Sequence, residues 1–166
     1  GEKFDAILHL AGQSSGEISF ENPVYDVEAN VISTLCLLDY AVQTGCTRFI
    51  YSSTMSVYGV QGAKEQFNEL DTINPKSFYA VGKVASELYL RIYQELYGID
   101  YTVLRYFNVY GHKQNMSNLK QGIISIYLKQ FIDESFEEVQ VKGSLERFRD
   151  FSHIDDVIDV TIESIN

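Results

Sequence analysis

The chain has 166 residues, 45% of them hydrophobic, with only two prolines and a formal net charge of −10. That length suits one domain or part of one, and so little proline argues against long disordered linkers. The acidic balance argues against nucleic-acid binding, since neutralising phosphates takes clustered Lys and Arg.

No apolar run approaches the ~18 residues that span a bilayer. No basic-then-apolar leader opens the chain, which leads to an expectation of a cytoplasmic protein without membrane contact. Cys36 and Cys46 have no metal-ligand spacing and read as reduced thiols, and no metal site is expected.

Ala6–Leu10 is a short apolar run ending at Ala11-Gly12, as in a buried parallel strand that opens into a loop. Pro23 then starts a long helical pattern, with Val27, Val31, Leu35, Leu38 and Val42 on one stripe and Gly45 as its stop. Phe49–Tyr51 predicts a second strand running into Ser52-Ser53-Thr54. Residues 59 to 76, with Gly59, Gly62, Asn74 and Pro75, read as a polar loop. Ser77 is placed to cap a helix in which Val84, Leu88, Ile92 and Leu96 recur every fourth residue, ending near Gly98. Tyr101–Phe107, rich in aromatic and β-branched residues, predicts a third strand. A helix over Ile123–Ile132, a short strand at Val139–Val141 and a last helix capped by Asp155 complete the pattern.

Strand, helix, strand, helix, strand is the α/β order with parallel strands and right-handed crossovers. Ligands of such sheets sit outside the carboxyl ends of the strands. Those ends are Leu10 to Ser14, Ser52 to Ser56 and Phe107 to Tyr110, which should line one crevice.

Three groups near these ends carry possible chemistry. Tyr79-Ala-Val-Gly-Lys83 puts a phenol and an amine one turn apart on one helix face. An ammonium stabilises a phenolate, and lowering a tyrosine by three pKa units takes about 4 kcal/mol. A partly desolvated lysine, helped by a cationic nicotinamide, would supply that and let Tyr79 act as a base. The hydroxyl-rich turn Ser52-Ser-Thr-Met-Ser-Val-Tyr-Gly59 follows a strand and can reach the same oxygen. Leu104-Arg-Tyr-Phe-Asn-Val-Tyr-Gly111 is the third group.

Together, from His9-Leu-Ala-Gly12 to Arg149-Asp-Phe-Ser-His-Ile-Asp155, these motifs resemble the extended short-chain dehydrogenase/reductase family, in particular its nucleotide-sugar epimerases. The resemblance implies a Rossmann-like, doubly wound parallel sheet. It implies Tyr79 as base and acid, Lys83 as the residue that holds the nicotinamide ribose and tunes Tyr79, and Thr54 as the third catalytic residue. Leu10, Ala11 and Gly12 would form a loop beside the cofactor, organised by Asn30. Ser52 and Phe107 would border the cofactor too. Thr54, Asn108 and Arg149 would contact substrate, Arg149 through a bidentate grip on a diphosphate. Gln121–Ile124 falls where the family places nucleotide contacts.

The implied cofactor is NAD, with NADP left open. The implied reaction is epimerisation of a nucleotide sugar through a transient keto-sugar. Dehydratases of the family usually carry Asp-Glu after the catalytic threonine, where this chain has Met55-Ser56, so elimination is disfavoured. A reductase or 4,6-dehydratase of the same family, or a non-catalytic binding protein on the scaffold, are the alternatives. Where some relatives have a lysine just after the Ala-Gly loop, this chain has Ser14.

The family's glycine-rich turn and the acidic residue after it precede the strand that here begins near Asp5. About two βαβ units of ~30 residues each are therefore expected upstream, and a substrate-binding part downstream of Asn166. Residues 1–111 are expected to be the later part of a Rossmann domain, and 112–166 the start of a nucleotide-sugar-binding region. The family also implies a homodimer through a four-helix interface involving the helix that carries Tyr89–Tyr97.

Other candidates are weaker. His153 with Asp155 and Asp156 reads as a loop entering a helix cap rather than a metal site. Glu134, Glu137 and Glu138 read as a solvated face, and Asn115-Met-Ser117 as a chance match to the glycosylation pattern.

Overall fold

A computed structural model describes residues 3–59, 66–118, 120–141, 145–146 and 148–166. The expected loop glycine Gly62 lies outside the described residues. The order is β1 (Ile7–His9), α1 (Gly16–Glu21), α2 (Pro23–Val27), a π-helical turn (Glu28–Ile32), α3 (Ser33–Thr44), β2 (Arg48–Thr54), a 3₁₀ turn (Met55–Tyr58), α4 (Phe78–Tyr97), β3 (Asp100–Tyr106), β4 (Val109–Tyr110), α5 (Ile123–Ile132), β5 (Ser152–His153) and α6 (Ile154–Glu163). Two compact units result: Gly1–Arg105 with Thr161–Asn166, and Tyr106–Val160.

In the first unit the strands lie in the order β1-β2-β3. β1 and β2 are parallel, with Ile7 opposite Phe49 and His9 opposite Tyr51. Such pairing needs a crossover, which α2 and α3 provide. The core joins Leu38 and Ala41 of α3, Phe49 and Tyr51 of β2, and Leu90 of α4, closed by Cys46 and Ile99. Ser77 caps α4 by accepting the Ala80 N–H at 3.1 Å, and Gly98 ends it in the left-handed conformation, as its position predicts.

Four expectations about local structure change. The single helix expected after Pro23 is interrupted by a π turn, whose extra residue re-aims Asn30 and Val31 inward. Val27 and Val42 of the expected stripe are consequently exposed. Val139–Val141 is not a strand; the second unit instead pairs β4 with β5 in parallel, Val109 opposite Ser152. Asp155 lies in the first turn of α6 rather than capping it, and His153 Nδ1 accepts the Asp155 N–H at 3.3 Å in that role.

Helix α4 buries its polar face rather than its apolar stripe. Its apolar positions Leu88, Ile92 and Leu96 are 47%, 41% and 67% exposed. The face turned inward carries Tyr79, Ala80, Gly82, Lys83, Ser86, Glu87 and Leu90. A polar helix face is buried here because each polar group finds a partner there, which is the condition for burying it.

Candidate active site

The carboxyl end of β2 is held by three successive turns of α4. Tyr79, Lys83 and Glu87 recur every fourth residue and so share one face. Each meets one residue of the strand end. Tyr79 faces the side chain of Thr54, which favours its ionised form. Lys83 Nζ donates to the Ser52 carbonyl at 2.9 Å. Ser53 Oγ donates to Glu87 Oε1. Ser52 Oγ in turn donates to the His9 carbonyl at 3.0 Å, which fastens the strand to β1. Thr54 also accepts the Ser56 N–H at 3.2 Å, starting the 3₁₀ turn that carries Met55 and Ser56 away from the strand. The three expected catalytic residues therefore meet at one strand end, and all three side chains are buried.

Electrostatics differ from the expectation in one respect. Burial pushes the Tyr79 phenol above its ordinary value; the Thr54 side chain pulls it back and the Asp26 charge raises it further. Lys83, with Nζ 5.8 Å from the centroid of the Tyr79 ring, does not reverse this. Burial pushes Lys83 itself down to about 8, against the opposing charges of Asp26 and Glu87. The physical reason is that desolvation penalises the phenolate and the ammonium alike, so a buried pair starts with both groups biased toward neutrality.

The loop after β1 lies against this strand end. Leu10, Ala11 and Gly12 are exposed there. Asn30, from the π turn, is buried beneath them and donates to the Gln13 carbonyl at 3.0 Å and to Asp26 Oδ1 at 3.2 Å. Gly12 has φ +150°, and a Cβ on it would lie 2.6 Å from Asn30 Oδ1, so the loop passes over Asn30 without room for a side chain. Asn30 thus shapes the loop from below.

The residues suit a nicotinamide ribose. An ammonium has three donors, and Lys83 directs one of them to Ser52. The remaining N–H groups, beside Tyr79, are donors of the kind that ribose hydroxyls would accept from.

The remaining expected residues belong to the second unit. Phe107, Asn108 and Arg149 are half-buried. Asn108 Nδ2 donates to the Asp150 carbonyl at 2.6 Å, which brings Asn108 to the segment that carries Arg149. Ser125 Oγ donates to the Gly122 carbonyl at 2.8 Å, and Gly122 has φ +84° at the start of α5. Among the described residues no group of three or more His, Cys, Asp and Glu is placed to hold a metal, and no helix is long and apolar enough to cross a membrane.

Sequence reasoning missed two sets of residues. Glu87 and Arg105 form a fork, with Arg105 Nη2 2.7 Å from Oε2 and Nε 3.1 Å from Oε1. Arg105 Nη1 also donates to the Tyr58 hydroxyl at 2.8 Å and to the Glu69 carbonyl at 3.3 Å. The i, i+4, i+8 run from Tyr79 through Lys83 to Glu87 was the signal available. Gln13 and Asp26 form the other set, and no spacing in the sequence marks them.

The chain matches the NAD dependent epimerase/dehydratase family over residues 1–165 and belongs to it. It is 32% identical over 163 residues to a putative UDP-glucose 4-epimerase of Methanocaldococcus jannaschii, covering 98% of this chain and 52% of that protein. It is 36% identical over 163 residues to a UDP-glucuronate 4-epimerase of Thermodesulfobacterium geofontis, covering 96% of this chain and 47% of the other. Among solved structures, the UDP-glucose 4-epimerase of Thermus thermophilus in complex with NAD matches with a TM-score of 0.87 and 30% identity, over 97% of this chain and 53% of that one. The chain spans about half the length of the curated relatives it matches.

Proposed function

We propose that the whole protein is an NAD-dependent epimerase of a nucleotide sugar, of the UDP-sugar 4-epimerase type. The observation that carries this reading is that Thr54, Tyr79 and Lys83 are all buried at one strand end, with Lys83 anchored to the Ser52 carbonyl one helical turn from Tyr79. Tyr79 takes the proton of a sugar hydroxyl while Thr54 holds that hydroxyl's oxygen. Lys83 stabilises the phenolate and binds the ribose. NAD⁺, which Lys83 and the Leu10–Gly12 loop would hold, would supply a reversible hydride acceptor at the carbinol carbon and the positive charge that a phenol raised by burial requires. The keto-sugar between loss and return of hydride turns over in the site, and the returning proton comes from Tyr79. Asn108 and Arg149 would hold the diphosphate, Arg149 by its fork.

Met55 and Ser56 support epimerisation over elimination. The two positions after Thr54 carry no carboxyl group to deliver or remove a proton at a neighbouring carbon. A dehydratase or reductase is the second reading, favoured only by the breadth of the family.

The exposed stripe of Leu88, Ile92 and Leu96 supports a homodimer in which α4 meets its copy. An unpaired amphipathic face at this spacing suits helix–helix packing. Sedimentation of the wild type against Ile92→Asp tests this: the dimer should give way to monomer with the circular dichroism unchanged.

Product analysis tests the reaction. The whole protein with NAD and a set of UDP-sugars should interconvert C4 epimers without net NADH and without loss of water. Tyr79→Phe should lower turnover about 10²- to 10⁴-fold, the usual contribution of a positioned acid–base group. Wild-type turnover in Tyr79→Phe, or a dehydrated product, would refute the reading.

A further inference from the structure

Four charged side chains gather around the end of β2: Asp26, Lys83, Glu87 and Arg105. Their partners can be counted. Glu87, 9% exposed, is committed to Arg105, which engages both of its oxygens. Lys83 is 4% exposed and donates to a neutral carbonyl. A buried ammonium needs a counter-charge. The groups facing it are His9 from β1, Tyr51 from β2, Tyr79 and Glu87 from α4, and Asp26 from α2. Burial pushes His9 down to about 4, with Lys83 adding to the shift, so at neutral pH it carries no charge. Burial likewise raises Tyr51 and Tyr79, which stay neutral phenols. The carboxylate not already held by an arginine is Asp26; burial raises it above its ordinary value, and the Gln13 and Asn30 amides and the charge of Lys83 act against that rise.

Asp26 is fully buried. Its Oδ1 accepts from two neutral amides, Gln13 Nε2 and Asn30 Nδ2. Its Oδ2 has no hydrogen-bond partner among the described residues. That oxygen lies against α4 at the residue before Lys83: a Cβ placed on Gly82 would be 3.5 Å from it. Gln13 and Asn30 fix the carboxylate's orientation, and glycine at position 82 lets it approach the helix.

We propose that Asp26 is the buried counter-ion of Lys83, a positioning residue that keeps the amine charged beneath Tyr79. The proposal deepens the catalytic reading of Lys83 and Tyr79 and rests on it. Asp26 also opposes ionisation of Tyr79.

Asp26→Asn separates charge from structure, because the amide oxygen keeps both hydrogen bonds accepted by Oδ1. In the full chain, the Lys83 midpoint is read by NMR of ¹³Cε-labelled lysine, assigned with Lys83→Met. The Tyr79 midpoint is read from ¹³Cζ-labelled tyrosine, assigned with Tyr79→Phe. Removing a negative charge disfavours the ammonium and favours the phenolate, so both midpoints should fall. Lys83 should drop from about 8 by about one pH unit, a tenfold loss of proton affinity. Loosened packing would instead hydrate both groups, lowering Tyr79 but raising Lys83. A Lys83 midpoint that is unchanged or raised overturns the proposal.

The reciprocal measurement does not require Asp26→Asn to fold. In Lys83→Met, the ¹³Cγ midpoint of Asp26 must rise, by linkage; an unchanged midpoint also overturns the proposal. No nucleotide sugar is present in either experiment, so a negative result here is distinct from failure of the epimerase assay.

Discussion

Arg105→Met tests the fork that joins α4 to β3. The substitution keeps much of the apolar stem, which packs independently of the charge. It removes two charge-assisted hydrogen bonds to Glu87, at 2.7 and 3.1 Å, and those to Tyr58 and the Glu69 carbonyl. Among the described residues, Glu87 stays buried with only the Ser53 hydroxyl as a hydrogen-bond donor. Breaking a buried pair by removing one member costs about 3–5 kcal/mol, because the other charge is left uncompensated. The Arg105 side chain is 18% exposed, so water can approach the vacated position and the lower end, about 3 kcal/mol, is expected. For a chain of this size that is roughly 6–12 °C in Tm. Urea denaturation of wild type, Arg105→Met, Glu87→Leu and the double variant reads it directly. The double variant should be closer to wild type than Arg105→Met, since no unpaired charge remains. If Arg105→Met stays within about 1 kcal/mol of wild type, the fork is a surface pair of the ordinary weak kind, and the reasoning fails.

His9 gives a pH-dependent prediction. Its folded pKa of about 4 lies below the ordinary 6.5, so the unfolded chain binds the proton more readily. Its stabilising contribution is whole above pH 6.5 and is lost as pH falls toward 4, by about 3 kcal/mol at most. His9→Gln should flatten that part of the stability curve; an unaltered slope would contradict it. Gly59 has φ +62° and a Cβ there would lie 2.0 Å from the Asn74 carbonyl oxygen. Gly59→Ala should therefore cost about 2 kcal/mol or more by chemical denaturation, and a neutral effect would show that the turn can move aside. Ser77→Ala removes the N-cap of α4 and should cost about 1 kcal/mol. A loss well below that would mean that tertiary packing alone fixes the start of the helix.

Much of the fold was legible because it rests on local rules. Gly45 and Gly98 stop helices because only glycine enters the left-handed region cheaply. Ser77 caps α4 because a short hydroxyl reaches the orphan N–H groups. The strand at Phe49–Tyr51 was marked by composition, although it extends to Thr54 because Ser52, Ser53 and Thr54 each find a partner. The meeting of Thr54, Tyr79 and Lys83 was implied by the resemblance that the motifs carry in their order and spacing.

Other features depended on distant partners. Asp26 and Gln13 look like surface residues in a polar stretch until α2 docks on α4 and buries them. Periodicity alone marked Leu88, Ile92 and Leu96 as one apolar stripe of α4 without saying what it meets, and the sheet takes the opposite, polar face. Hydrophobic patterning reports which residues avoid water; it does not distinguish a core from a surface awaiting a partner. The sequence by itself determined where elements start and stop and which polar groups share a helix face, because those depend on neighbours a few residues away. The tertiary structure decided which face is buried and which charges pair, because burial and desolvation depend on segments far apart in the chain.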